Sequence, residues 1–260
     1  MRKVADVQLS GNGYRKNNKV LDGARALFES GSLADFLKYS GDYDEIASKV
    51  LDLGGKIIYG PQNQGSLNKN ATNVHKRFRG LMNEVESAAT PSLSLADLKT
   101  VRDWKMVRNR VRQNWLLVDS NTDEAVCQTT TAAFSALPDW ETSMSTLDAL
   151  HGVGPATASF ILALRDSTIP VFSEELARCC GVVSTSAKYD RNEYREFHRV
   201  VNEKATSLST KSLQITPRQI EQACWACVYS QHPKLTSSSP FPSDDLPVDP
   251  PVKKRARTKR

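Results

Sequence analysis

Apolar residues up to about residue 231 recur three or four positions apart, and no segment shows the strict alternation of a half-buried strand. The pattern predicts helices over 24–41, in two pieces broken at Gly31, and over 43–55, 75–89, 100–118, 122–136, 192–206 and 217–229. Segment 59–73 is rich in Asn, Gln and Gly, which predicts a loop. The chain is therefore expected to have an all-α fold.

The most informative stretch is 146–178, TLDALHGVGPATASFILALRDSTIPVFSEELAR. Its apolar positions predict two short helices with buried faces, carrying Leu147, Leu150, Phe160, Ile161 and Leu164. Between them, Gly152 and Gly154 permit a tight turn with unusual backbone angles, and Val153 can plug the space between the helices. Pro155 is well tolerated in the first turn of the helix that follows.

A glycine turn that leads into a helix N-terminus has the chemistry of an anion site. Its successive backbone N–H groups point towards one place, and no side chain blocks the approach. The expected ligand is a nucleic-acid phosphate, contacted without sequence readout. The predicted DNA-contacting residues of this segment are Gly152, Val153, Gly154, Ala156 and Thr157. The alternative is an ordinary turn between two helices with no role in nucleic-acid binding.

The pattern Leu150-x-Gly152-Val153-Gly154-x-x-Thr157-Ala158 resembles the helix-hairpin-helix of the DNA glycosylase superfamily. The resemblance continues through the apolar run 161–164 and through 169–172, which leads into an acidic position. It implies a two-lobed, all-α body over 1–231, with the hairpin at 146–165 and a cleft between the lobes. It also implies DNA as the partner and base excision as the activity.

A narrower resemblance is to a divergent eukaryotic branch of this superfamily, which includes the nuclear Amun-like proteins of animals. It is carried by Asp103-Trp104-Lys105-Met106, Asn121, Val126, Ala133-Phe134 and the run 152–159. This resemblance implies a location in the nucleus.

The resemblance also defines where catalytic groups are expected. Bifunctional glycosylases have a Schiff-base lysine where this chain has Ala156, so a covalent lyase step of that kind is not expected. Monofunctional members use an aspartate to stabilise the developing sugar cation and help activate water. Here the matching place reads Ser173-Glu174, which makes Glu174 the candidate catalytic residue of a monofunctional enzyme. Asp166 is a weaker candidate at the end of the second hairpin helix.

A structural role explains Glu174 equally well. Acidic residues are favourable in the first turn of a helix, and Ser173 suits the N-cap position just before it. The competing functional hypothesis is therefore a glycosylase fold that has lost catalysis and acts as a DNA-binding or protein-interaction module.

The predicted helix 100–118 combines an apolar stripe with a basic edge. The stripe contains Trp104, Val107, Val111, Trp115 and Val118. Lys105, Arg108 and Arg112 fall along one margin and are candidate phosphate contacts. Alternatively, their aliphatic stems cover the edge of the core while their charges lie in water. The two tryptophans are expected in the core because of their helical spacing.

The net charge of +6 comes from the end of the chain. Six of the 35 basic residues lie in the last eight positions, which leaves 29 basic against 29 acidic residues elsewhere. Six of the twelve prolines lie in 231–252, so the tail 232–260 is predicted to be disordered. Its residues Lys253, Lys254, Arg255 and Arg257 form a candidate nuclear localisation signal for an import receptor. A solubilising or nonspecific nucleic-acid-binding tail is the alternative.

Five cysteines and no apparent secretion signal predict reduced thiols. The Cys224–Cys227 pair falls within a predicted helix and has no second ligand pair at metal spacing, so buried apolar roles are favoured over a metal or redox site. No metal or cofactor is expected. No apolar run is long enough to span a membrane, and a cytosolic or nuclear protein is predicted.

Overall fold

The computed structural model describes residues 12–52, 71–108, 113–183 and 188–230, without the side chains of 12–20, 71 and 113–115. Within these ranges the chain is all-helical and contains no strand, as the sequence predicts. The α-helices are α1 (Asn12–Ser30), α2 (Leu33–Gly41), α3 (Tyr43–Asp52), α4 (Ala71–Ser87), α5 (Leu95–Arg108), α6 (Asp123–Ala136), α7 (Trp140–Leu147), α8 (Pro155–Arg165), α9 (Glu174–Cys179), α10 (Arg191–Leu208) and α11 (Pro217–Ser230). A 3-10 helix covers Gln113–Ser120.

Local capping signals determine where several helices begin. Ser32 and Asp35 form a reciprocal capping box at the start of α2, which follows the predicted break at Gly31. Thr122, Asp139 and Asp190 accept hydrogen bonds from amides in the first turns of α6, α7 and α10. Such caps satisfy backbone N–H groups that have no partner within the helix.

α11 occupies the centre of one packing group. It contacts α1, α2, α3, α9 and α10, and ten of its fourteen residues are buried. Cys224 and Cys227 are both buried beside Trp225, which confirms the structural interpretation of the pair. Burial raises the pKa of the Cys224 thiol well above its usual value, so this thiol remains protonated.

A second packing group contains α4, α5 and α8, with α6 against α5 and α8 and α7 against α6 and α8. Trp104 is 1% exposed and stacks on Phe78, so its predicted core position is confirmed. α8 is the most completely buried member of this group, and eight of its eleven residues are buried. The hairpin is therefore built on a rigid support.

The prediction of a single helix over 100–118 is wrong. α5 begins earlier, at Leu95, because Ser94 Oγ accepts from the Asp97 N–H while the Asp97 carboxylate accepts from the Ser94 N–H. The α-helix ends at Arg108, and the chain then adopts a 3-10 conformation over Gln113–Ser120. This conformation brings the end of the segment against the hairpin, as described below.

Several sequence predictions lie outside the described residues. They are most of the loop 59–73, Arg112, the side chain of Trp115 and the tail from residue 231 onward, including the candidate nuclear signal. Among the described helices, none is both long and apolar enough to cross a lipid bilayer.

Candidate nucleic-acid interface

The glycine turn between α7 and α8 forms a tight hairpin. Gly152 has φ +78°, in the left-handed region that favours glycine. The Val153 N–H donates to the Leu150 carbonyl at 3.2 Å, and its side chain is only 7% exposed, so it fills the space between the helices as predicted. Gly154 is the N-cap of α8 and Pro155 is the first helical residue.

The two glycines serve different purposes. A Cβ added at Gly152 would lie 2.9 Å from the Val118 nitrogen, so both the backbone angle and the close approach require glycine. A Cβ at Gly154 would have no atom within 4 Å. Gly152 therefore allows the turn to form, whereas Gly154 leaves open space at the start of α8.

The open side of the turn presents unpaired backbone donors. Among the hydrogen bonds of the described residues, the N–H groups of Gly152, Gly154 and Ala156 have no acceptor. They belong to two exposed glycines and to the first turn of an eleven-residue helix. Together with the helix dipole, they favour an anionic oxygen in this position.

Asn121 holds the turn from the other side. Its Oδ1 accepts from the His151 N–H at 2.8 Å, and its Nδ2 donates to the His151 carbonyl at 2.9 Å. The same Nδ2 donates to the Val118 carbonyl at 2.9 Å. All three contacts use backbone atoms, so Asn121 fixes the position of the turn relative to the 3-10 helix. Asn121 is one of the residues that carry the narrower resemblance, but nothing in the sequence pattern around it predicted this role.

Two of the predicted DNA-contact residues, Val153 and Thr157, are buried within the hairpin and do not face a surface ligand. Thr157 is 5% exposed, and its N–H donates to the Gly154 carbonyl at 2.8 Å. Lys105 Nζ donates to Thr157 Oγ1 at 2.8 Å, which places one predicted basic residue beside the first turn of α8. Val153 and Thr157 thus shape the site, and its backbone groups and Lys105 provide the positive electrostatic character.

Arg108 does not lie on the predicted basic margin. It is 6% exposed, and its guanidinium forms a buried ion pair with Glu221 of α11. Four aromatic rings surround it, those of Tyr43, Trp104, Phe160 and Trp225. Its expected position as a surface phosphate contact is therefore corrected: the charge is used inside the protein, where an unpaired arginine would be costly.

An apolar feature lies beside the hairpin. Leu116 and Leu117 of the 3-10 helix are 58% and 49% exposed, and they are two of the three large exposed apolar side chains among the described residues. A Cβ at Gly152 would lie 3.2 Å from the Leu117 Cβ, so this pair directly adjoins the turn. The only sequence signal for them is a pair of consecutive leucines after the predicted basic edge, which does not by itself predict exposure.

Glu174 occupies the first position of α9, after the N-cap Ser173. Ser173 Oγ accepts from the Leu176 N–H at 3.4 Å, which agrees with the structural interpretation. The Glu174 carboxylate accepts from Arg178 Nη1 at 3.2 Å, and its side chain is 18% exposed. No hydrogen bond or ion pair among the described residues joins Glu174 to the hairpin.

The neighbouring Glu175 is the more perturbed carboxyl. It is 2% exposed, and Tyr229 donates its hydroxyl hydrogen to Glu175 Oε1 at 3.2 Å. Burial raises the pKa of Glu175 to about 7, although Arg108 opposes the increase. This residue belongs to the buried charge cluster of Arg108, Glu221, Glu175 and Tyr229. Its burial also separates it from any surface ligand.

Asp166 has a local structural role. It is the C-cap of α8, and its Oδ1 accepts from both the N–H and the hydroxyl of Thr168. These contacts form the turn after the helix and give no sign of a catalytic function.

The described residues contain no group of three or more His, Cys, Asp or Glu side chains arranged to hold a metal ion. Comparisons with family models, curated proteins and solved structures yield no match to the chain.

Proposed function

We propose that this protein binds the DNA backbone through its helix-hairpin-helix, independently of sequence. The observation that carries the proposal is the unpaired N–H set of Gly152, Gly154 and Ala156 at a turn where Gly154 leaves open space at the start of α8. Phosphate oxygens accept hydrogen bonds from such groups, and they carry the charge that a helix N-terminus favours.

The distribution of charged residues along the chain agrees with DNA binding at one local site, the hairpin. Lys105 is held at the first turn of α8 by its hydrogen bond to Thr157. Apart from its last eight residues, the chain has equal numbers of acidic and basic residues. Binding would therefore depend on the hairpin and its neighbours, with only a few phosphate contacts and a shallow salt dependence.

The exposed Leu116 and Leu117 favour duplexes that are already distorted. Apolar side chains next to a phosphate contact can enter between base steps, at a cost of about a few kcal/mol for unstacking. A missing or mismatched base lowers this cost. We therefore propose stronger binding to an abasic site than to intact duplex.

Base excision is the second candidate, and it rests on the resemblance and on the presence of Glu174. Arg178 forms an ion pair with this carboxylate and balances its charge, which favours the non-catalytic alternative. An active enzyme would use Glu174 once Arg178 moves away. It would lack the lyase step, because Ala156 replaces the amine. A nuclear location through the basic tail belongs to the same proposal.

The test uses the full chain with the six basic residues of 253–260 changed to glutamine, so that the tail cannot bind DNA by charge alone. Affinity is measured for a duplex with a stable abasic analogue and for a matched intact duplex, over a range of salt concentrations. Gly154→Asp places a carboxylate in front of the amides while keeping a good N-cap. Gly41→Asp is the matched control, because its added Cβ also meets no atom within 4 Å.

We expect Gly154→Asp to weaken binding at least tenfold and Gly41→Asp to leave it unchanged. Equal binding by both variants, or no binding by the folded parent chain, would contradict the proposal. Release of a damaged base that disappears in Glu174→Gln would establish the enzymatic form. Binding without release would support the non-catalytic module.

A further inference from the structure

Hydrogen-bond geometry at the hairpin fixes the protonation pattern of His151. Ser120 Oγ lies 2.7 Å from the Leu117 carbonyl oxygen and 2.9 Å from His151 Nδ1. A carbonyl oxygen only accepts, so the single hydroxyl hydrogen of Ser120 is donated to Leu117. Both contacts are satisfied together only when His151 Nδ1 carries a hydrogen and donates it to Ser120 Oγ.

A neutral imidazole with its hydrogen on Nδ1 has an acceptor at Nε2. His151 is exposed, and no hydrogen bond among the described residues uses its Nε2. A phosphate oxygen is also an acceptor, so the neutral ring cannot bind it. Protonation adds a hydrogen at Nε2 and a positive charge, which turns the same atom into a charge-assisted donor.

His151 directly precedes the turn that carries the unpaired amides. Its own N–H and carbonyl are held by Asn121, so the ring is attached to a fixed backbone. We propose that His151 is a proton-dependent phosphate ligand, which contacts the DNA backbone only as the imidazolium and so couples DNA binding to proton uptake. This inference rests on the proposed function of the hairpin.

The charged groups on the flanking elements already have partners. Asp119 of the 3-10 helix is paired with Lys99 and Arg102, and Asp148 at the end of α7 is paired with Arg191. Lys105 donates to Thr157 on α8. The phosphate of a bound duplex is therefore the group that stabilises the charged form of His151. Imidazole is the ordinary side chain that changes charge between about pH 5 and 8.

The experiment measures affinity of the full chain, with the tail lysines and arginines neutralised, for the abasic-analogue duplex from pH 5.5 to 8.5 at constant ionic strength. Calorimetry in buffers of different ionisation enthalpy gives the number of protons taken up. We expect affinity to fall about tenfold across this range, with proton uptake largest, at about half a proton, near the middle of the fall and close to zero at both ends.

Two variants test the assignment. His151→Gln provides an amide donor at every pH, so it should bind with no pH dependence and no proton uptake. Ser120→Ala removes the acceptor that holds the hydrogen on Nδ1, and lets the neutral ring place it on Nε2. This variant should therefore bind more tightly than the parent at pH 8.5 and show a shallower pH profile.

The outcomes separate this inference from the proposed function. A pH profile that is the same in His151→Gln as in the parent would overturn the role of His151. Binding by the parent that does not change with pH would also overturn the role of His151. If Gly154→Asp abolished that binding, the proposed function of the hairpin would still hold. Absence of binding at pH 5.5 by a folded parent chain would overturn both. Thermal unfolding of each variant provides the folding control.

Discussion

Lys105 and Arg108 lie one turn apart on α5, yet they serve different regions. Lys105 reaches the hairpin and donates to Thr157, whereas Arg108 turns inward to the buried charge cluster with Glu221, Glu175 and Tyr229. The hairpin leaves backbone donors unpaired at its surface, whereas in the buried cluster the Nη groups of Arg108 and the hydroxyl of Tyr229 donate to carboxylates. Two basic residues of one helix thus lie in different surroundings, one beside the turn and one in the core, according to the direction in which they point.

The largest effect should come from breaking the ion pair of the buried cluster. Glu221→Ala leaves the Arg108 charge buried without its carboxylate, which should lower the free energy of unfolding by about 3–5 kcal/mol. Glu203→Ala, which breaks an exposed pair with Arg199, is the matched control and should change the free energy of unfolding very little, because water screens the pair. Urea denaturation measures both, and equal losses would show that burial of the pair is unimportant.

The second-largest effect should be a loss of stability with rising pH that is caused by Glu175. The pKa of Glu175 is raised to about 7 from an ordinary 4.5, so the folded state binds this proton more tightly than the unfolded chain. Its contribution is present below pH 4.5 and is lost as pH rises through about 7, an effect of about 3 kcal/mol. In Glu175→Gln this decline should be absent. Unfolding free energies at pH 5 and 8 measure it, and an identical decline in the variant would be contrary evidence.

Changes within the hairpin should have smaller effects on stability. Gly152→Ala must adopt φ +78° and place a Cβ 2.9 Å from the Val118 nitrogen, which should cost about 1–3 kcal/mol. Gly154→Ala has open space and should be close to neutral. Chemical denaturation compares the two. Equal costs would mean that the turn does not need its left-handed residue.

The smallest effect should be that of Lys105 on binding. Lys105→Gln retains a hydrogen-bonding side chain near Thr157 and removes one positive charge. DNA affinity should fall severalfold, and the salt slope should decrease by about 1. Arg199→Gln on the outer face of α10 is the control for net charge. A loss of equal size in both variants would indicate a general charge effect instead of a hairpin contact.

The sequence predicted the features that depend on nearby residues. Helical spacing and caps gave the helices around Gly31, the start of α9 after Ser173 and the turn at Gly152 and Gly154. It could not predict that Arg108 pairs with Glu221, because the two residues are 113 positions apart. Asn121 and His151 are 30 positions apart, so their contact also required the fold.

The buried position of α11 has a consequence for synthesis on the ribosome. α1, α2 and α3 emerge before α11, but they pack against that helix, which ends at Ser230. Until α11 has left the exit tunnel, α1, α2 and α3 lack one of the surfaces on which they pack. These three helices therefore become stable only after α11 has been synthesised, and until then they are exposed to chaperones and proteases.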